Sequence, residues 1–220
     1  MKALRSLPFL SLLPWGLFAI SVYLMVFITW QYVPIDFGAA FLRLKPEEIA
    51  LPYYQWAFFG HVYTSIFVLL LGGLQLAKVI RIKWPGVHRS AGKAYVLLIL
   101  GIAAPTGLIM GWHANGGPWS QLSFCLQAII WFWYTLRAWT LASRADWPGH
   151  RAFMLRSFAL TFSAVTLRTW KLGIVLIFAP PPMDTYRIVA WLGWVGNLVF
   201  VEWWIWRGRN KQAAQVSCLP

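Results

Sequence analysis

Two short stretches decide how this chain is organised: Trp84-Pro85-Gly86-Val87-His88-Arg89 and Trp147-Pro148-Gly149-His150-Arg151. Five residue types recur in the same order, each time at the head of an apolar run, which marks an internal repeat even in a chain with 16 Trp. Each stretch begins the second half of a helical hairpin, so residues 55–113 and 120–179 read as two copies of one unit. Two hairpins related in this way predict a pseudo-symmetric four-helix core.

The rest of the sequence supports a membrane setting for that core. Its 220 residues are 60% apolar and only 11% charged, whereas soluble domains carry about 45–50% apolar and about a quarter charged residues. An all-α integral membrane protein is the expected class, with 1–220 as one membrane domain. Six segments reach the roughly 20 residues needed to cross the hydrocarbon: 10–33, 55–79, 90–113, 120–143, 152–179 and 187–207. The core consists of spans two to five, flanked by the first and sixth. The first apolar run is too long for a secretory signal and reads as an uncleaved span.

The net charge of +13 fits topology better than nucleic-acid binding, because the basic residues punctuate apolar runs. Fourteen of the 19 Lys and Arg, from Lys2 to Lys211, fall on the side of the N-terminus, and the positive-inside bias makes that side cytoplasmic. Both termini are then cytoplasmic. The outer connections, 34–54, 114–119 and 180–186, hold Asp36, Glu47, Glu48 and Asp184. Within the first of them, Pro46-Glu47-Glu48 predicts a short helix. Tryptophans at span ends, such as Trp30, Trp56 and Trp112, suit an interfacial belt.

The four histidines sort by depth. His88 and His150 lie at the inner ends of spans three and five, and His61 and His113 at the outer ends of spans two and three. Their 25-residue separation puts His88 and His113 on one face of a regular helix, with a stripe through Gly92, Tyr95, Ile99, Ile102, Thr106 and Met110. Span five has a matching stripe: His150, Met154, Ser157, Thr161, Ala164 and Arg168. Polar groups are costly toward lipid, so both stripes are expected to face inward.

Imidazoles from facing helices suit bis-histidine ligation of haem iron. His88 with His150 forms one candidate set and His61 with His113 a second. Arg89, Lys93, Arg151 and Arg156 near the inner level, and Arg168 and Lys171 near the outer, would neutralise propionates. Each histidine has a plainer reading as a wetted interfacial residue, and His113 as a helix end beside Asn115-Gly116-Gly117-Pro118. Metal ions also bind imidazole, but no local ligand cluster supports them. Lys171 reads as snorkelling, Glu202 as the partner of an arginine on another span, and Gln75 and Asn197 as interhelical hydrogen-bonding groups. Gly107 and Gly111 read as a close-packing pair, and Gly92 as a place where a flat ring approaches the backbone. Cys125 and Cys218 have no assigned role. No nucleophile–base set or phosphate loop is present, which disfavours hydrolases and phosphoryl transferases.

Gly60-His61, His88-Arg89-x-x-Gly92 and His150-Arg151-x-x-Met154-x-Arg156-Ser157 together resemble, over about residues 55–205, an uncharacterised bacterial membrane family, the domain of unknown function 2306. That resemblance implies a fold and a bacterial inner membrane, and no activity. The layout is also similar to the ascorbate-linked transmembrane b-type cytochromes, whose haem ligands lie on the four central helices. Here span four has no histidine and span three has two. The resemblance implies a haem b protein that moves electrons in the bilayer, linked to quinone. The competing expectation is a non-catalytic membrane protein or accessory subunit whose His-Arg turns dock lipid headgroups. A transporter would need a polar midplane site, and the span centres are almost wholly apolar.

Overall fold

The computed structural model describes the backbone of residues 8–217 and the side chains of 13–210. Lys2, Arg5, Cys218 and the side chain of Lys211 lie outside them. Among the described residues the regular structure is entirely helical. Helix α1 spans Pro8–Trp30, and after a 3-10 turn at Ala40–Leu44 the short α2 spans Pro46–Ile49, as Pro46-Glu47-Glu48 predicts. Then come α3 (Pro52–Leu76), α4 (Lys78–Lys83), α5 (Pro85–Leu98), a π-helical turn (Ile99–Ala103) and α6 (Ala104–Trp112). The chain continues with α7 (Pro118–Ser143), α8 (Trp147–Thr161), α9 (Ser163–Phe178) and α10 (Pro182–Ser217).

Among the described residues four helical stretches are long and apolar enough to cross a membrane: Leu13–Trp30, Pro52–Leu76, Pro85–Trp112 and Pro182–Asn210. The pair α8 and α9, bent by 42°, makes a fifth if it counts as one span. The remaining expected span, α7, has 26 residues, about 39 Å of helix. Its Ser, Thr, Gln and Arg take it below the hydropathy of the others. Ser123 and Thr135 are buried and hydrogen-bonded inside the protein, whereas Ser120 Oγ is buried without a hydrogen-bond partner among the described residues.

The repeat is visible in how the helices start. Pro85 and Pro148 both lie in a first helical turn, where a missing N–H costs nothing. The backbone N–H of His88 bonds to Trp84 O and that of His150 to Asp146 O, so each histidine closes the first turn of its helix. The one-residue difference between the copies is absorbed at the cap: Trp84 is the N-cap of α5, whereas in α8 Asp146 takes that place and accepts from Gly149 N.

Helix α3 packs on α5, α6 and α8, and α7 packs on α6 and α8, which closes the four-helix core. Helix α10 covers α7, α8 and α9, while α1 packs on α3. The two stripes meet as expected in the inner half. Tyr95 Oη is hydrogen-bonded to Ser157 Oγ at 2.9 Å and Thr161 Oγ1 at 2.8 Å, and Ser157 Oγ to Thr135 Oγ1 at 2.7 Å. All four hydroxyls are buried, so the network satisfies groups that would each be costly alone. Beside it Gly72 lets α3 approach α8: a Cβ there would lie 2.6 Å from the Phe158 ring and 2.9 Å from Tyr95. Gly72→Ala is expected to destabilise the protein by about 1–3 kcal/mol through overpacking, measured by thermal unfolding in detergent.

Two irregularities shape the outer half. In a straight α-helix Pro105 would collide with the Gly101 carbonyl, and the π turn before it removes that clash by bonding Ala104 N to Ile99 O. The extra residue in the turn rotates everything beyond it. The stripe expected through Ile102, Thr106 and Met110 is therefore met in part: Met110 lines the interior as expected, Ile102 and Thr106 sit at the edge against Gly60 of α3 with Ile102 exposed, and Ala103 and Gly111 are the buried positions. His113 is the C-cap of α6, with φ −96° and ψ 18°, and so stands outside the helical phase that was expected to align it with His88. The second irregularity is the bend after Thr161. Asn197 Nδ2 bonds to the Ala159 carbonyl, and Thr166 Oγ1 to the Gly193 carbonyl. These bonds draw α9 onto α10, where Gly193 admits Leu167. The hairpin copies thus match in the inner half and diverge in the outer.

Candidate functional site

The divergence leaves a cavity of about 500 Å³ in the outer half, between α1, α3, α6, α7 and the α8–α9 bend. Its inner end is apolar, with Leu69, Trp131 and Leu160, and its outer end carries Lys45, His113, Arg168, Lys171 and Tyr186. The charged side chains that line it are Lys45, Arg168 and Lys171, and no Asp or Glu is among the lining residues. A volume of about 300–1,000 Å³ with apolar walls and a few polar groups suits a small ligand or cofactor. Lys45 is paired with Glu48, which leaves Arg168 and Lys171 as the lining cations without a carboxylate partner among the described residues.

His61 stands in this wall in a fixed orientation. Its Nδ1 lies 2.8 Å from the Ala103 carbonyl oxygen. A carbonyl only accepts, so Nδ1 carries the proton and Nε2 keeps its lone pair. Ala103 ends the π turn, so the distortion required by Pro105 presents the carbonyl. Gly107 provides room, since a Cβ there would lie 3.0 Å from His61 Cε1. Imidazoles that bind metal are commonly held through their other nitrogen in this manner.

Arg168 donates from Nη1 to the Ala164 carbonyl of its own helix at 2.7 Å and has no carboxylate partner among the described residues. Its side chain is exposed and lines the cavity together with Tyr32, Tyr186 and His61. Lys171 lines the same space.

The cavity roof is the outer loop, and its key residue is one the sequence reading passed over. Lys45 is 2% exposed; its Nζ bonds to Glu48 Oε1 at 2.6 Å and also donates to the His113 carbonyl. The Lys-x-x-Glu spacing across Pro46 was the available signal. A cation at a helix C-terminus is also favoured by the helix dipole. Burial pushes the Glu48 carboxyl up, but the Lys45 hydrogen bond and charge, with its own backbone, hold it below the ordinary value of 4.5. A carboxyl with a depressed folded pKa stabilises above its unfolded value and loses that contribution as pH falls through the folded one. Acidification below about pH 4.5 is expected to lower the melting temperature, and Glu48→Gln to flatten that part of the profile.

His113 is held on the other side of this strap. Its Nε2 is 3.0 Å from Tyr53 Oη, its ring meets Tyr54 edge-on, and it lines both the cavity and a second, lipid-side groove. It shares the cavity with His61, but its Nε2 is taken by Tyr53.

At the inner level, His150 Nδ1 lies 2.9 Å from the Ala138 carbonyl, while His88 Nδ1 is buried with no hydrogen-bond partner. The two are near enough to feel each other's charge, but neither lines either cavity. The place beside Gly92 belongs to Gln75, not a flat ring: Gln75 Oε1 is 3.1 Å from where a Cβ would stand, and its Nε2 donates to His88 O. Arg156 does not serve an anion here, because its guanidinium is bound by both carboxylate oxygens of Glu202 and stacks on Phe153. That pairing is the interhelical role expected of Glu202. Arg89 and Arg151 are exposed. Where the repeat would place a counterpart of His61, Ser123 Oγ donates to Ala190 O and accepts from Trp194 Nε1. That position docks α10.

Among the described residues no three His, Cys, Asp or Glu converge to hold a metal ion. No curated protein and no solved structure matches the chain. A family described as predicted membrane protein (DUF2306) matches residues 58–205, and with two thirds of its length inside that match, the chain belongs to this family.

Proposed function

We propose that this protein is a haem b-binding electron carrier of the bacterial inner membrane, with both termini cytoplasmic and a membrane-borne quinone as redox partner. The observation that carries the reading is His61, its Nδ1 pinned by the Ala103 carbonyl, in the wall of a cavity whose charged lining is wholly cationic. His61 would supply the axial nitrogen, and Arg168 and Lys171 would hold the propionates. Phe58, Leu69, Trp131 and Leu160 would exclude water from the ring. A haem in such a site exchanges single electrons, at a potential set by its axial ligand and surroundings. The exposed Arg89 and Arg151 serve a second purpose, docking phospholipid phosphates at the inner face.

The test is the reduced-minus-oxidised spectrum of protein purified from haem-replete cells. A b-type band that disappears in His61→Ala and persists in His88→Ala supports the reading. A well-folded, colourless wild-type preparation rejects it.

A further inference from the structure

The second groove has no part in holding a haem, and its chemistry points to a ligand of its own. It has a volume of about 480 Å³ and is lined by Tyr53, Leu108, Ile109, Trp112, His113, Cys125 and Ile129. It lies between the start of α3 and the facing sides of α6 and α7. Tyr53, Trp112 and Ile129 are large exposed groups on this side, so the groove opens toward acyl chains and not into the bundle.

The groove is almost wholly apolar, and its hydrogen-bonding side chains are one pair, Tyr53 and His113. Tyr53 Oη and His113 Nε2 lie 3.0 Å apart. One proton lies between them, and whichever group donates it, the tyrosine oxygen keeps hydrogen-bonding capacity for a third partner. A plain acyl chain has nothing to offer that pair. A flat ring bearing carbonyl or hydroxyl oxygens does, and an apolar tail on such a ring would follow Leu108, Ile109 and Ile129 inward. His113 also lines the cationic cavity, so one side chain separates the two spaces.

From this geometry we propose that the groove is the binding site for the head of an isoprenoid quinone, with the Tyr53 hydroxyl as the hydrogen-bonding group for a ring oxygen and His113 orienting that hydroxyl. The assignment rests on the redox reading above for its purpose and on the groove for its binding.

The experiment uses the full chain in nanodiscs of uncharged lipid, photolabelled with an azido derivative of decylubiquinone and mapped by peptide mass spectrometry. Saturable labelling on residues 108–113 or 125–129, competed by decylubiquinone and not by dodecanol, is expected. Tyr53→Phe should weaken competition about three- to tenfold, the worth of one neutral hydrogen bond. Ile129→Trp, which fills the groove and leaves the Tyr53–His113 pair intact, should abolish labelling; thermal unfolding checks that both variants fold. Non-saturable labelling, competition by dodecanol, or labelling indifferent to Ile129→Trp would overturn the proposal by making the groove a lipid slot. Pigment-free His61→Ala protein should label like wild type. Failure of the haem reading therefore leaves this result readable, and loss of labelling with pigment retained rejects the groove alone.

Discussion

Purified His61→Ala protein is expected to be folded and colourless, with the whole b-type band lost. An axial imidazole is the protein's only covalent hold on haem b, so its removal affects far more than one packing contact. The supporting groups should give graded effects. Gly107→Ala would place a methyl 3.0 Å from His61 Cε1 and turn the ring away from the Ala103 carbonyl. Disturbing an outer-shell partner of this kind commonly costs about 10–100-fold in affinity, so Gly107→Ala should retain haem weakly in a titration of the apoprotein. His88→Ala and His150→Ala separate this picture from the inner-pair alternative. If either bleaches the protein while His61→Ala does not, the cofactor belongs to the inner level and the outer cavity holds something else.

Why the candidate site lies at the outer level, when the repeat points to the inner one, follows from what a sequence encodes locally. The Trp-Pro-Gly recurrence is a local signal, and it correctly marked two helix starts and the core they build. The inward stripe of span five also held, since Ser157 and Thr161 sit in a regular helix. Span three deviated at the π turn before Pro105, a proline within an apolar run that signals an interrupted helix; a continuous 3.6-residue phase carried through it put the exposed Ile102 on the inward face and His113 inside the helix that it caps. His61 was legible as a candidate ligand because histidine is rare inside a membrane span. Its clamp was not, because the partner is a backbone carbonyl and the residue that makes room is a glycine whose spacing reads equally well as helix packing. The bend beside the cavity is held by Asn197 and Gly193, which tie α10 to Thr166 of α9, contacts about thirty residues apart in sequence that no periodicity announces.

Arg168 should decide whether the cationic lining acts on the cofactor or is only tolerated by the bundle. A guanidinium without a carboxylate partner, facing a cavity among aromatic rings, costs the folded protein stability, so its removal need not harm folding. Arg168→Gln is expected to leave the melting temperature of the pigment-free protein level or raised. In the haem-loaded protein the same change removes a charge-assisted hydrogen bond to a propionate, worth about 1.5–3 kcal/mol, so haem should dissociate about 10–100 times faster. Arg168→Lys keeps the charge but loses the two-pronged geometry and should fall between. Haem transfer to excess apomyoglobin measures all three. A structural arginine would give the opposite signature, with apoprotein stability falling in Arg168→Gln and haem release unchanged. Lys171→Gln gives a second reading of the same charge: Lys171 lies one helical turn outward from Arg168 and lines the same wall, so the two losses should add if both hold one anion.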